Sequence, residues 1–228
     1  MAIRPVFIAT TKQPFYKQVD VKFEYFSGFS LVQKQKSIDS LHKSFIDLYQ
    51  SKVLEVSSKS TKEIGVKLSA FNLKIHSSKR EFSVESAFQG SKVFNKGGPY
   101  VDLLNKPAKS AKKDERLKNS GELIAFRLYN EEYPLEPKDF FYNWIYINAL
   151  KQNEHLIPDL LNYDAFTDIE FNPTKSINCQ ARAAAIFVGL SRANRIDFAL
   201  ESKERFLETI YGHHNEEINK KYEQMSLL

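Results

Sequence analysis

The sequence has little of what several protein classes require. It has one cysteine, Cys179, among 228 residues, which excludes a disulfide framework and a zinc site built from several cysteines. A lone cysteine on an apolar segment is typical of a buried small side chain, and it fits a reducing, cytoplasmic compartment. No apolar run approaches the roughly 20 residues that cross a bilayer. Residues 1–10 lack the apolar segment of a signal peptide. We therefore expect no membrane partner.

The common catalytic and phosphate-binding motifs are also absent. The sequence contains no G-x-x-x-x-G-K-[ST] or G-x-G-x-x-G loop, and no H-E-x-x-H, C-x-x-C or G-x-S-x-G. Of the five histidines only His213 and His214 are adjacent, on a polar tail, where a solvated pair is the simpler interpretation than a metal site. The sequence therefore predicts neither a metal nor a cofactor.

Aromatic residues and one basic segment are abundant. The 18 Phe and 11 Tyr supply core surface and candidate stacking platforms. The formal net charge is +5, and residues 106–118 alone contribute +4, because six basic residues there meet only Asp114 and Glu115. This segment is either a solvated surface or a contact surface for the phosphates of a nucleic acid. The second alternative makes DNA-contact candidates of Lys109, Lys112, Lys113 and Arg116.

Hydrophobic periodicity predicts strands first and helices afterwards. Period-two patterns and β-branched residues predict strands at 6–10, 19–26, 53–57 and 65–75. Helical spacing predicts helices at 37–50 (with Ser37 as N-cap), 83–94, 108–118, 138–153, 177–194 and 198–211. No internal repeat or linker divides the chain. We therefore predict one α+β domain over residues 1–211, followed by a polar tail over 212–228.

The first candidate constellation lies on the predicted helix 83–94. Glu85 and Lys92 are seven residues apart, so they share a face about 10 Å apart along the axis, with Gln89 between them. The simple interpretation is a solvated helix face. The functional interpretation is a carboxylate for proton transfer and an amine for phosphate binding or covalent catalysis.

The second constellation precedes the predicted helix 177–194. Two acids, Asp168 and Glu170, come before a turn, and Thr174 or Ser176 is the expected cap of the helix. Free N–H groups at that helix start, beside Lys175, would favour an anion. The alternative is an ordinary loop and N-cap.

Four sequence blocks resemble the NADAR (YbiA-like) superfamily, and most closely its branch of antitoxins that accompany DarT-type DNA ADP-ribosyltransferases. The blocks are FSGFS (26–30), ESAFQGSKVF (85–94), PAKSAKKDERLK with Trp144 downstream, and DAFTDIEFNPTKSINCQARAAAIF (164–187). Ser86 stands where the superfamily has His, Gly28 stands where its opening motif has Asn, and the terminal block lacks a W-G pair. These departures favour the antitoxin branch over the riboflavin-pathway N-glycosidases.

The resemblance implies a single NADAR-like α+β domain that cleaves the N-glycosidic bond between ADP-ribose and guanine in DNA, with a DarT-type toxin as partner. Glu85 is then an acid/base or cation stabiliser, Lys92 a nucleophile or a phosphate ligand, and Asp168 a third catalytic residue. The expected contacts to ADP-ribose and the base are Ser27, Phe29, Gln89, Trp144, Phe171, Lys175 and Asn178.

Two other functions remain open from the sequence. A YbiA-like N-glycosidase would act on small phosphorylated nucleotide intermediates instead of DNA. A non-catalytic antitoxin would neutralise its toxin by contact alone.

Overall fold

The fold intersperses short strands and helices in a computed structural model that describes residues 1–78 and 80–212. The strands are β1 (Ala2–Ala9), β2 (Tyr16–Phe23), β3 (Val53–Glu55), β4 (Lys74–His76), β5 (Glu81–Ser83), β6 (Lys92–Phe94), β7 (Leu123–Leu128), β8 (Glu131–Tyr133) and β9 (Ala165–Thr167). The helices are α1 (Leu31–Tyr49), α2 (Glu63–Lys67), α3 (Val84–Gly90), α4 (Ala108–Lys112), α5 (Arg116–Asn119), α6 (Phe140–Gln152), α7 (Ile157–Leu160), α8 (Gln180–Arg192), α9 (Ile196–Ala199) and α10 (Lys203–Tyr211). Short 3-10 helices span Val101–Asn105 and Glu154–Leu156. Apart from Gly212, the predicted polar tail lies outside the described residues.

The longest strands lie at the amino end, and the α+β class is confirmed. A four-stranded sheet has the order β2-β1-β9-β3. β1 pairs with β2 along its full length, and β9 pairs antiparallel with β1 and parallel with β3. Glu55 is the partner of Thr167 in the β3–β9 pair. Because parallel strands end at the same edge, the segments that follow β3 and β9 are neighbours, although they are over a hundred residues apart in sequence.

The core centres on α8, which packs against β1 and α6. Nearly every α8 residue from Ala181 to Leu190 is buried, and four are alanines. Small side chains let the helix approach the sheet closely. At Gly189 an added Cβ would clash with the carbonyl oxygens of Thr10 and Phe15 in the loop between β1 and β2, so only glycine fits there. The helix predicted at 138–153 is confirmed as α6. No helix among the described residues has the length and apolarity to cross a bilayer.

The predicted strand 65–75 is wrong over most of its length. The chain forms α2 and a turn before entering β4 at Lys74. Leu68, Ala70 and Leu73 are all buried without strand alternation. The turn is held by side chains from distant helices, because the Tyr146 hydroxyl donates to the Leu68 carbonyl oxygen at 2.7 Å. A local sequence pattern contains no signal for such remote partners.

Three predicted helices are interrupted. The helix predicted at 83–94 ends at Gly90, and Lys92 begins β6, which pairs with β7. The helix predicted at 108–118 is broken between α4 and α5, where the Asp114 carboxylate accepts from the Arg116 N–H at 3.1 Å. The helix predicted at 198–211 is divided in the same way into the end of α9 and α10, whose N-cap is Ser202.

Two helix starts also differ from prediction. α1 begins at Leu31 with Ser30 as its N-cap, while Ser37 is buried and its hydroxyl accepts from the Phe26 N–H at 3.0 Å. α8 begins at Gln180, so neither Thr174 nor Ser176 caps it. The prediction that a helix start over 174–178 binds an anion is therefore wrong about the helix, because that segment is a loop.

Candidate active-site cleft

A cleft of about 1190 Å³ lies between α3, α4, α6 and the segments that follow β3 and β9. Seven lysines line it against four carboxylates: Lys59, Lys92, Lys109, Lys112, Lys113, Lys138 and Lys175 against Glu85, Glu136, Asp168 and Glu170. This balance favours a ligand with several negative charges. Ten of the fourteen residues predicted for the site line the cleft: Glu85, Gln89, Lys92, Lys109, Lys112, Lys113, Asp168, Phe171, Lys175 and Asn178.

The first constellation forms a hydrogen-bonded row in the cleft wall. Ser83 caps α3 and so fixes Glu85 in its first turn. The Gln89 side-chain amide donates to Glu85 Oε1 at 2.9 Å, and Lys92 Nζ donates to Gln89 Oε1 at 2.8 Å. Gln89 therefore bridges the carboxylate and the amine. Lys92 reaches Gln89 from β6, not from the helix.

Lys92 occupies an environment that disfavours its charge. Burial lowers the pKa of its amine, the nearby Lys112 ammonium lowers this pKa further, and Glu85 opposes both effects. Its Nζ also lies 4.9 Å from the centroid of the Phe88 ring. More of this amine is neutral near pH 7 than of an ordinary lysine, and a neutral amine is the nucleophilic form.

The predicted basic segment divides into two parts. Lys109, Lys112 and Lys113 line the cleft, and Lys112 Nζ lies 3.6 Å from Glu85 Oε1. Arg116 does not line the cleft, because its guanidinium is bonded to Asp102 and Asp114 at 2.7–3.2 Å. The prediction of Arg116 as a DNA contact therefore receives no support from its position.

Asp168 is tied to Glu85 through a chain of hydrogen bonds. The Gln180 side-chain amide donates to Asp168 Oδ2 at 2.9 Å, and Gln180 Oε1 accepts from the Ala70 N–H at 2.7 Å. The Ala70 carbonyl oxygen accepts from the Glu85 N–H at 2.9 Å. Burial, and after it the Glu55 carboxylate, raise the pKa of Asp168 to about 8. Asp168 is thus a carboxylic acid that keeps its proton at neutral pH.

Three of the predicted ligand contacts lie in the cleft wall that follows Asp168 in sequence. Phe171 is buried and meets the Phe7 ring edge-on, with ring centroids 6.4 Å apart. Lys175 is exposed at the rim. Asn178 Oδ1 is buried with no hydrogen-bond partner among the described residues, and the residue lines the cleft.

Three predicted ligand contacts are not among the lining residues. Ser27 and Phe29 lie exposed before α1, and Phe29 is fully solvent-accessible. Trp144 packs edge-on against Phe206, with ring centroids 5.3 Å apart. Tyr142 of the same helix lines the cleft, and two residues correspond to about 200° of helical rotation, which turns Trp144 to the opposite face.

Sequence reasoning missed Tyr142 and Gln180. Tyr142 lines the cleft, and burial, then the Glu85 and Asp168 carboxylates, raise its pKa well above the ordinary value. It is therefore a neutral phenol near both acids. Nothing in the sequence distinguishes it from the other aromatic residues of α6. The sequence does contain a signal for Gln180, because it is a polar residue at the start of an apolar helix. Such a residue needs a hydrogen-bond partner when it is buried.

Comparison with known protein families identifies the family of the chain. The sequence model described as the DarT1-associated NADAR antitoxin matches residues 2–220, which is nearly the whole chain. No curated protein sequence matches the chain. The matched span contains every strand and helix described above. It also contains the ten predicted site residues that line the cleft. The chain belongs to the family of DarT1-associated NADAR antitoxins.

Proposed function

We propose that this antitoxin is a DNA ADP-ribosylglycohydrolase that removes ADP-ribose from guanine and so reverses the modification made by a DarT-type toxin. The observation that carries the proposal is the hydrogen-bonded row Glu85–Gln89–Lys92 beside Asp168, in a cleft lined by lysines. An N-glycosidic bond to an amine needs a proton donor for the leaving group and help for a cationic ribosyl transition state. The cleft contains residues for both tasks.

The size and charge of the cleft suit ADP-ribose attached to a nucleotide. Ligand pockets for small molecules are usually about 300–1,000 Å³, and this cleft is about 1190 Å³. We assign the pyrophosphate to the lysines of the α4 side and to Lys175 on the opposite loop. The exposed Lys109 and Lys113 are then also the candidates to meet the phosphates of the DNA strand.

The protonation states suggest a division of labour. Asp168, protonated at neutral pH, donates its proton to the exocyclic nitrogen of guanine as the bond from that nitrogen to the anomeric carbon breaks. Lys92 supplies the electron pair for a new bond to that carbon, and the Asp168 carboxylate takes the proton that the amine loses. Asp168 then gives this proton to the ring oxygen as the bond from that oxygen to the anomeric carbon breaks, which leaves a protonated imine on Lys92. Glu85 stabilises the developing positive charge. Water then hydrolyses the imine, releases ADP-ribose and restores both side chains.

The environment of Lys92 favours the nucleophile over the phosphate ligand. A phosphate ligand works best fully charged, whereas burial lowers the pKa of this amine. Its hydrogen bond to Gln89 also fixes the amine inside the cleft. The other six lysines that line the cleft are sufficient for phosphate binding without it.

The test is incubation of the full chain with an oligonucleotide that carries ADP-ribosylated guanine. We expect release of ADP-ribose and recovery of the unmodified oligonucleotide mass. Borohydride added during turnover should trap a covalent adduct in the wild type and in Lys118→Ala, a matched exposed lysine outside the cleft. Lys92→Ala should trap none. The same adduct in Lys92→Ala would exclude Lys92 as nucleophile, and no ADP-ribose release by the wild type would refute the proposal.

The same assay separates the two alternatives. Free phosphorylated nucleotides that are cleaved while the oligonucleotide is not would indicate a small-molecule N-glycosidase. Neutralisation of the toxin in cells by a folded Glu85→Gln variant without turnover would indicate an antitoxin that acts by contact.

A further inference from the structure

A second buried carboxylate lies behind the cleft. Glu55 ends β3 and is 1% exposed. Its Oε1 accepts from the Ser57 hydroxyl at 2.6 Å and from the Ile169 N–H at 2.8 Å, and its Oε2 accepts from the Thr167 hydroxyl at 2.6 Å. Glu55 takes part in no salt bridge within the described ranges 1–78 and 80–212. A buried carboxylate without a cation is costly, so its three hydrogen bonds need an explanation.

The hydrogen bonds of Glu55 fall on both sides of Asp168. Thr167 and Ile169 are the residues immediately before and after it, and each donates to the Glu55 carboxylate. The parallel pairing of β3 with β9 sets Glu55 opposite Thr167, so the strand register itself makes this arrangement. Glu55 therefore fixes the main chain on both sides of Asp168 through Thr167 and Ile169, while Gln180 fixes the Asp168 side chain.

We infer that Glu55 is a positioning residue, which fixes the main chain on both sides of Asp168 and thereby sets how the Asp168 carboxyl group meets the cleft. The inference rests on the proposed glycohydrolase reaction, in which Asp168 is the proton donor. Glu55 itself does not line the cleft.

The charge of Glu55 adds a second effect on Asp168. Three donors, two of them hydroxyls, favour the ionised form of Glu55, whereas Asp168 receives only the Gln180 amide and the Glu170 N–H. Of two neighbouring buried carboxyl groups, the better-solvated one ionises first and the other retains its proton. The proton of this pair therefore resides on Asp168.

Among the described residues, the other groups that face Asp168 do not form an ion pair with it. Glu170 from the following turn is acidic and is paired with Lys34 Nζ at 3.1 Å, and the groups from α6 and the start of α8 are the neutral Tyr142, Tyr146 and Cys179. His42 of α1 lies 2.7 Å from the Thr167 hydroxyl, but burial lowers its pKa to about 4, so it is neutral.

The experiment compares the full-length wild type with Glu55→Gln. Carboxyl-13C aspartate labelling, with the Asp168 signal assigned by its loss in Asp168→Asn, measures the ionisation of Asp168 without substrate. We expect the midpoint in Glu55→Gln to fall by about one pH unit or more, and the alkaline limb of the turnover profile to move with it. Glu170→Gln, which removes a half-exposed acid, should shift the midpoint less. An unchanged Asp168 midpoint in folded Glu55→Gln would overturn the inference.

Two further measurements keep the test decisive. If Glu55→Gln does not fold, the wild type is labelled with carboxyl-13C glutamate instead. We then expect the chemical shift of the Glu55 carboxyl group to change at the pH midpoint of Asp168. A Glu55 signal that does not change at that midpoint would overturn the inference. Thr167→Val, which removes one of the three donors, should lower kcat about tenfold with little change in KM, and Thr167→Ser should restore it. An equal loss of kcat in Thr167→Val and Thr167→Ser would also overturn the inference. Failure of the proposed function appears separately, as no release of ADP-ribose by the wild type at any pH.

Discussion

The molecule contains two acidic clusters in opposite electrostatic conditions. The surface acid cluster, Asp102 and Asp114, is bonded to Lys106 and Arg116 at 2.7–3.5 Å. The buried acid pair, Glu55 and Asp168, has hydrogen-bond donors but no cation in the part of the chain that the structure describes. Hydrogen bonds from Arg116 hold the pKa of Asp114 well below its usual range, whereas burial raises the pKa of both buried acids.

This difference supports our proposal that Asp168 acts in catalysis and that the surface acid cluster does not. The surface acid cluster has ordinary partners and contributes what exposed ion pairs contribute, which is little. In the buried acid pair, ionisation of Asp168 is costly, because the carboxyl group is buried and none of the described residues forms a salt bridge with it. A carboxyl group with a raised pKa at the wall of a lysine-lined cleft is a candidate for a catalytic acid. The predictions below test this contrast with matched substitutions.

The largest effect is expected from removing the proton donor. Asp168→Asn should lower turnover of ADP-ribosylated oligonucleotide by roughly 10²–10⁴-fold, because an amide does not donate a proton to the leaving amine. Asp114→Asn makes the same chemical change in the surface acid cluster and should retain turnover near the wild-type value. Initial rates of ADP-ribose release at saturating substrate measure both. Equal losses in the two variants would remove the distinction between the clusters.

Of the four acids in the two clusters, the sequence indicated only Asp168 as functional, so it was informative for only part of the cleft. Glu85 and Asp168 were identified through the family resemblance and their acidic type, and the apolar patterns of α6 and α8 predicted those helices. Glu55 was not identified. In the pattern VLEVS, period-two alternation places Glu55 with Val53 on one strand face. Whether that face is covered depends on α1, which packs against β3 and is remote in sequence.

The position of Lys92 illustrates the same limit. A continuous helix over 83–94 gave the correct neighbours, since Gln89 does bridge Glu85 and Lys92. The helix nevertheless ends at Gly90, because the following residues pair with β7, about thirty residues later. Local propensity does not contain that pairing, and tertiary context overrides it. Hydrogen-bond partners along a short motif are therefore predictable where the element type is not.

A smaller effect is expected on stability, and its sign differs between the clusters. The pKa of Asp168 is raised from its ordinary value of 3.8 to about 8, so the folded state binds this proton more tightly than the unfolded state. That contribution is fully present below about pH 4 and is lost as the pH rises towards 8. Asp168→Asn has no such dependence. Its stability relative to the wild type should grow over that interval, by on the order of 1–3 kcal/mol.

Urea denaturation at pH 5, 7 and 9 measures this prediction. For Asp114, whose pKa is lowered, the stabilising contribution is present at neutral pH and is lost only in strong acid. Asp114→Asn should therefore be slightly less stable than the wild type at all three pH values, with a constant difference. A gain in Asp168→Asn that does not depend on pH would mean that packing, and not ionisation, distinguishes the variant.

The smallest effect concerns the two parts of the basic segment. Lys109 and Lys113 extend from the cleft without a salt bridge within the described residues, while Arg116 is occupied by the surface acid cluster. A lysine that neutralises a phosphate contributes about 0.7 to the slope of log affinity against log salt for a single strand. Lys109→Ala and Lys113→Ala should each reduce that slope by about this amount, and Arg116→Ala should not. Fluorescence anisotropy with a single-stranded oligonucleotide at several salt concentrations measures the slopes. A reduced slope in Arg116→Ala would mean that a DNA phosphate replaces Asp102 and Asp114 as the partner of the Arg116 guanidinium on binding.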